Sequence, residues 1–345
     1  MKVSEDIKLD FSDVLILPKS NFNNNIISRN DVSLEREFYF TNSKQNWKGV
    51  PIAVANMDTT GTIEMASELQ KHKILTCLHK FYNAEDIINS ELDVNYYAIS
   101  SGTKDEDIKK LETILEKVNA RFICLDVANG YLPNVIDKIK LLRSKFPSMI
   151  LIAGNVVTAE IVNLYYENGV DIVKMGIGSG SVCTTRLKTG IGYPQFSCIL
   201  DCRSKIPKEC FIMSDGGIQQ MGDVSKAYGA GADFVMCGGI FAGHEECSGE
   251  TIEENGKTYK VFYGMSSSNA MKTHYGSVAS YRSSEGKCVK IKYRGPIINT
   301  IQDMLGGIRS TMTYVGVKQL VDLYNNCEFI RVNHNVNTIY NKNEI

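Results

Sequence analysis

Short apolar runs alternate with longer stretches of helical periodicity along most of this chain. The runs are Pro51-Ile-Ala-Val-Ala55, Ile74-Leu-Thr-Cys-Leu78, Tyr96-Tyr-Ala-Ile-Ser100, Phe122-Ile-Cys-Leu125, Met149-Ile-Leu-Ile-Ala153, Ile172-Val-Lys-Met175, Phe211-Ile-Met213 and Phe234-Val-Met-Cys237. Between most of them the spacing predicts helices, as over 62–71, 105–119 and 132–146. Strands that alternate with helices pair in parallel through right-handed crossovers. About eight such units within roughly 200 residues fit an α/β fold of the (β/α)8 barrel type better than an open sheet. No Gly-x-Gly-x-x-Gly opens a helix after the first strand, which argues against a dinucleotide-binding open sheet.

Polar residues gather where the runs end. They are Asn56-Met-Asp58, His79-Lys80, Ser101-Gly102, Asp126, Gly154-Asn155, Gly176-Ile-Gly-Ser-Gly180, Asp215-Gly-Gly217 and Gly238-Gly239. Gly, Asn and Asp end strands for purely local reasons. In a barrel, however, all these ends converge on one face, where barrel chemistry takes place. Asp58, Lys80, Asp126 and Asp215 among them are ionisable.

More chain follows the eighth run than a barrel needs. The dipeptide Asn255-Gly256 marks a hairpin within 249–264, a small polar loop Gly264-Met-Ser-Ser-Ser-Asn-Ala-Met271 leads into a short helix, and 287–293 alternates like a strand. This reads as an excursion over the active-site face. The last barrel helix is expected over 300–313. The predicted organisation is one barrel domain over 1–345, with an N-terminal arm at about 1–48, the excursion at about 247–298 and an Asn-rich tail at about 332–345.

Composition removes several alternatives. The chain has 345 residues and a net charge of −1, so no overall field draws it to nucleic acid. No apolar run is long enough to span a bilayer, and the N-terminus lacks a secretory apolar region. The ten cysteines are irregularly spaced and several lie inside apolar runs, which predicts reduced thiols and a cytoplasmic protein. Cys198 and Cys202 have no second cluster to complete a zinc site.

One cysteine stands apart. Cys183 sits in Gly176-Ile-Gly-Ser-Gly-Ser-Val-Cys183-Thr-Thr185-Arg186, a glycine-rich loop that follows a predicted buried strand. A thiol there can act as a covalent nucleophile, although a packed thiol beside a turn fits the same residues. Loops after the seventh and eighth strands of a barrel commonly hold phosphate through backbone N–H groups. Asp215-Gly-Gly217 and Gly238-Gly239 occupy those positions. The residues alone therefore point to a barrel enzyme with a phosphate-bearing substrate, and leave its reaction open.

The string Gly178-Ser-Gly-Ser-Val-Cys183-Thr-Thr185-Arg186 closely resembles the cysteine loop of the IMP dehydrogenase/GMP reductase family. So do Phe11-Ser-Asp-Val-Leu15, Ala55-Asn-Met-Asp-Thr59, Ser214-Asp-Gly-Gly217 and Gly264-Met-Ser-Ser267, in the family's order, over about residues 8–331. The dehydrogenase branch carries regulatory domains after the second strand, and here the third strand follows too soon for them. Asp126-Val-Ala-Asn-Gly130, Gly154-Asn-Val-Val-Thr158 and Tyr281-Arg-Ser-Ser-Glu-Gly286 resemble the reductase branch.

The resemblance implies reduction of GMP by NADPH to IMP and ammonia; the alternative is NAD-dependent oxidation of IMP. It implies Cys183 as nucleophile, Thr185 with Glu285 as the proton relay and Lys80 as a catalytic lysine on the cofactor side. Substrate would be held by Asp215, Gly216, Gly217, Gly238, Gly239, Gly264, Met265, Ser266, Arg282, Ser283, Ser284 and Gly286. NADPH would reach Asp126, Val127, Ala128, Met265, Tyr281, Arg282, Ser310, Thr311, Met312 and Thr313, with Ser28 and Arg29 from a neighbouring subunit. Gly178, Gly180, Cys183 and Arg186 would bind K+, and the assembly would be a homotetramer. Where related enzymes often carry His or a basic residue after that lysine, this chain has Phe81.

Overall fold

The structure is a computed structural model that describes residues 3–20, 26–275 and 283–333. Eight parallel strands close into a barrel: β1 (Gln45–Val54), β2 (Ile74–Leu78), β3 (Tyr97–Ser101), β4 (Phe122–Asp126), β5 (Ile150–Val156), β6 (Ile172–Met175), β7 (Phe211–Asp215) and β8 (Phe234–Cys237). Closure comes from β8 on β1, with Val235 opposite Ile52 and Cys237 opposite Val54. All eight expected runs are strands of this barrel. They read as continuous apolar runs because both faces are covered, one by the barrel interior and one by helices. On β2, for example, Leu75 and Cys77 belong to the interior cluster, while Ile74 and Leu78 join the outer core under the helices.

The first strand departs from expectation. It begins at Gln45, well before Pro51, because its early residues pair antiparallel with the strand Arg36–Phe40, Phe38 standing opposite Trp47. That hairpin seals the N-terminal end of the barrel. Phe38 packs on Phe234 at 4.5 Å between ring centroids, and Trp47 meets Phe122 edge-on at 6.3 Å. The Trp47 indole also donates to the Asn95 carbonyl at 2.7 Å. Burying each such side chain contributes roughly 1.5–3 kcal/mol. With this end filled, the barrel opens at its C-terminal mouth.

The excursion is a three-stranded antiparallel sheet of β9 (Thr251–Glu254), β10 (Lys257–Tyr263) and β11 (Cys288–Lys292), with a helix at Ser268–Tyr275. Asn255 and Gly256 both have positive φ, 54° and 70°, as a two-residue hairpin turn of the expected kind requires. Phe262 on β10 is buried against Val182 and Ala242, which docks the sheet on the mouth. The final barrel helix is Ile298–Val315, and no helix among the described residues is long and apolar enough to cross a membrane. Beyond it, Phe329–Arg331 returns to pair with Val14–Ile16.

Candidate active site

Strand β6 ends at Met175 and releases the chain into the loop that carries Cys183; a short helix, Thr185–Thr189, follows. The excursion lies directly on this loop. Lys287 N–H donates to the Val182 carbonyl at 2.8 Å, Thr184 N–H donates to the Glu285 carbonyl at 2.8 Å, and Cys183 bridges to Gly286. These backbone bonds bring three side chains into line. The Cys183 thiol donates to Thr185 Oγ1 at 3.2 Å, and that hydroxyl donates to Glu285 Oε2 at 2.7 Å. Thr185 N–H points at the sulfur from 3.5 Å. A thiol, a hydroxyl and a carboxylate thus form a continuous path for a proton.

Cys183 is half-buried, whereas most other thiols lie in the core. Burial pushes the Cys210 thiol up to about 12 and Cys327 up to about 11. Cys77 and Cys198 are also held well above the ordinary thiol value, first by hydrogen bonds with Cys124 and Cys202 and then by burial. Those thiols stay protonated and inert. Cys183 differs from them in its exposure and in its contacts with the Thr185 hydroxyl and N–H.

Beneath the loop sits a feature the sequence reading passed over. Lys174 is 1% exposed inside β6, and its ammonium lies between two strand-end carboxylates, hydrogen-bonded to Asp126 and 3.4 Å from Asp215. Burial opposes ionisation of Asp126, but the Lys174 charge and hydrogen bonds from Lys174 and Asn56 outweigh it, so its pKa is lowered. Burial likewise opposes the Lys174 charge, and Asp126 and Asp215 overcome it, so the ammonium is held well above its ordinary value. Asn155 donates to Asp215 at 2.8 Å and to the Gly176 carbonyl at 2.9 Å. One buried cation thus orients the carboxylates expected to serve the ribose and the cofactor.

A second cradle is made of backbone. Gly216 and Gly217 have φ of 89° and 80°, conformations that side chains rarely adopt. A Cβ on Gly239 would stand 2.4 Å from Ser181 Oγ. A cavity of 250 Å³ beside Gly217 is lined by Asp10, Ser12, Gly178, Ser181, Arg186 and Asp223 among others.

The larger cavity at the mouth, 360 Å³, is lined by Lys80, Asp126, Ala128, Met265, Ser266, Ser283 and Glu285 from the expected set, joined by Asn56, Phe81 and His274. Lys80 reaches Asp107 at 3.1 Å. Ser284 helps fold the excursion by accepting from Ser268 N–H at 3.0 Å, and Gly264 N–H donates to the Lys287 carbonyl at 3.1 Å. Other expected residues lie elsewhere. Ser28 and Arg29, at a one-turn 3-10 helix, pack beside the helix that bears Ser310, Thr311, Met312 and Thr313, and neither group lines this cavity. The Met312 side chain is fully buried. Tyr281 and Arg282, and the tail from residue 334, lie outside the described residues.

Fold and site together define a (β/α)8 barrel whose mouth brings a thiol, a hydroxyl and a carboxylate into hydrogen-bonded line. The chain belongs to the IMP dehydrogenase / GMP reductase family, whose domain matches residues 8–338. It is 51% identical over 345 residues to GMP reductase 1 of Rattus norvegicus, covering 98% of this chain and 99% of that protein. It is 50% identical over 346 residues to GMP reductase of Caenorhabditis elegans, covering 98% and 96%. It is 50% identical over 348 residues to GMP reductase of Escherichia coli O81 (strain ED1a), covering 99% of both.

Proposed function

We propose that this protein reduces GMP to IMP and ammonia with NADPH. The observation that carries the reading is the Cys183–Thr185–Glu285 path, present in a chain whose full-length relatives are named GMP reductases. Cys183 adds to C2 of the purine, forming a C–S bond. Thr185, backed by Glu285, delivers the proton with which the C2 amino group departs as ammonia. Covalent attachment divides one hard displacement into two easier ones. When bound, NADPH supplies the hydride that takes the place of sulfur at C2, and Cys183 leaves as thiolate.

The binding roles we propose are these. Asp215, oriented by Lys174 and Asn155, takes the ribose hydroxyls. Gly216, Gly217, Gly238 and Gly239 take the phosphate, and Gly264, Met265, Ser266, Arg282, Ser283, Ser284 and Gly286 enclose the base. The mouth cavity beside Lys80, Asp126, Val127 and Ala128 suits the nicotinamide end of the cofactor. The backbone carbonyls of Gly178, Gly180, Cys183 and Arg186 suit K+. The Arg186 guanidinium pairs with Asp10 at 2.9 Å, and the Arg186 and Gly180 carbonyls also accept from Gly190 and Cys183 N–H. Among the described residues no cluster of three His, Cys, Asp or Glu offers a transition-metal site, so a cation here would be held by neutral oxygens.

We further infer a single-domain chain that assembles as a homotetramer in the cytoplasm, without nucleic-acid or membrane partners. Ser28 and Arg29 lie away from the mouth of their own barrel, next to Ser310, Thr311 and Thr313, and a neighbouring copy brings that patch to a cofactor. Ten free cysteines suit a reducing compartment. The alternative, oxidation of IMP with NAD+, is not favoured by the names of the relatives. The test is spectrophotometric. GMP plus NADPH should lose nicotinamide absorbance, and IMP plus NAD+ should gain none; the opposite pattern would reverse the assignment.

A further inference from the structure

The motif Asn56-Met-Asp58 ends β1, yet nothing in the chemistry above uses Asp58. Its side chain is buried, and Oδ2 accepts from Tyr263 Oη at 2.8 Å and from His274 Nε2 at 2.5 Å. A carboxylate can only accept, so Nε2 of His274 carries a proton. Asp58 N–H points to Met265 Sδ at 3.5 Å. Tyr263, Met265 and His274 all belong to the excursion: the end of β10, the loop after it and the helix Ser268–Tyr275. Burial, and then the bond to Asp58, raises the Tyr263 phenol above its ordinary value, which keeps it a donor.

His274 also makes a second attachment. Its ring lies flat on Phe81, just past the end of β2, with centroids 3.5 Å apart and planes 4° apart. One excursion side chain is therefore gripped by the ends of two barrel strands, through a hydrogen bond to one and a ring stack on the other. A buried carboxylate without partners is strongly unfavourable. Docking of the excursion supplies those partners, so Asp58 favours the docked pose over a lifted one.

The link continues to the reacting groups. The loop that holds Met265 is bonded to the segment that holds Glu285: Glu285 N–H donates to the Ser266 carbonyl at 3.0 Å, and Ser267 bridges to Gly286. His274, Phe81, Met265 and Glu285 all line the mouth cavity.

We propose that Asp58, His274 and Phe81 form a clamp that positions the excursion, so that Glu285 is held over the Cys183–Thr185 pair during proton delivery. His274 is a positioning residue in this account, acting through Asp58. The catalytic half of the proposal rests on the GMP-reducing reading, while its structural half stands apart from it.

The experiment uses the full-length wild type, His274→Phe, His274→Gln and Phe81→Leu. His274→Phe keeps a ring to stack but loses the donor. His274→Gln keeps a donor and loses the ring. Phe81→Leu loses the stack alone. With GMP and NADPH, His274→Phe should lower kcat about tenfold while the KM for GMP stays within about twofold, because the barrel still grips ribose and phosphate. His274→Gln should recover most of that loss, and Phe81→Leu should lose less than His274→Phe. Hydrogen exchange gives a readout free of activity. In His274→Phe, amides within 263–275 and 283–288 should exchange faster while those of the barrel strands do not. Unchanged exchange in those segments, or an unaltered kcat in His274→Phe, overturns the clamp. A wild type that exchanges as expected but does not reduce GMP overturns the functional reading and, with it, the catalytic half of this proposal.

Discussion

The two halves of the active site are built in different ways. The barrel half consists of strand ends set by a closed ring of hydrogen bonds and a filled interior. Its charged residues are locked from below, as Lys174 locks Asp126 and Asp215. The excursion half stands on a few long-range contacts: backbone bonds to the cysteine loop, Phe262 in a small cluster, and the Asp58–His274–Phe81 clamp. The difference matches the work assigned to each. Groups that bind ribose and phosphate gain from rigidity. Glu285, to which we assign the proton that leaves with ammonia, sits on the excursion. Thr185 is the joint, bonded to Cys183 on one side and Glu285 on the other.

The comparison breaks first at Cys183. Cys183→Ala should abolish turnover, by at least about 10³-fold, yet leave GMP binding nearly intact, since the ribose and phosphate contacts belong to other residues. Turnover assays and isothermal titration with GMP check both halves of that statement.

Glu285→Gln sharpens it. The amide keeps the shape but cannot shuttle a proton, so GMP reduction should fall about 10²-fold. Hydride exchange between IMP and NADP+, which needs no ammonia to leave, should survive better. Equal losses in the two assays would reduce Glu285 to a structural role.

Lys174→Met attacks the other half. It leaves two carboxylates beside an apolar side chain, and stability to urea should drop by about 2–3 kcal/mol. That is below the full penalty for breaking a buried pair, because the Asp126 and Asp215 side chains remain 38% and 21% exposed. The pH dependence has a definite sign. The folded Asp126 is depressed below the ordinary 3.8, so its stabilisation is complete above that value and is lost as pH falls through the depressed one. Wild-type stability should therefore decline as pH falls below 3.8, and that part of the decline should vanish in Lys174→Met.

Gly239→Ala places a methyl 2.4 Å from Ser181 Oγ, so the hydroxyl, which lines the 250 Å³ cavity beside the glycines proposed to hold phosphate, has to shift. The KM for GMP should rise about tenfold with kcat little changed. The smallest effect is expected at the hairpin tip. Gly256→Ala forces a side chain onto φ of 70°, at about 1 kcal/mol and without loss of activity, because the turn touches nothing in the site.

The same division explains what could be read from the sequence. Barrel strands announce themselves as apolar runs, and the polar residues after them fall on one face by topology alone. The Asn255-Gly256 turn was legible for a local reason: two positive φ values in a row suit few other pairs. Lys174 escaped notice because it lies inside an apolar run and its partners come from β4 and β7, which no spacing reveals. The hairpin at the barrel floor falls within the expected arm, and its place there rests on contacts of Phe38 and Trp47 with Phe234 and Phe122 that no local spacing reveals. His274 lies 216 residues from Asp58, and Glu285 lies 100 from Thr185. Glu285 came into view only through the resemblance, and His274 did not come into view at all.

Mass spectrometry of the Cys183 peptide tests the central claim most directly. Wild type and Glu285→Gln, each incubated with IMP and NADP+, should both carry a purine covalently attached to Cys183, since the barrel half forms that bond without the proton relay. Cys183→Ala should carry none. A wild-type Cys183 peptide that remains unmodified, or an adduct that appears on another cysteine, would contradict the account.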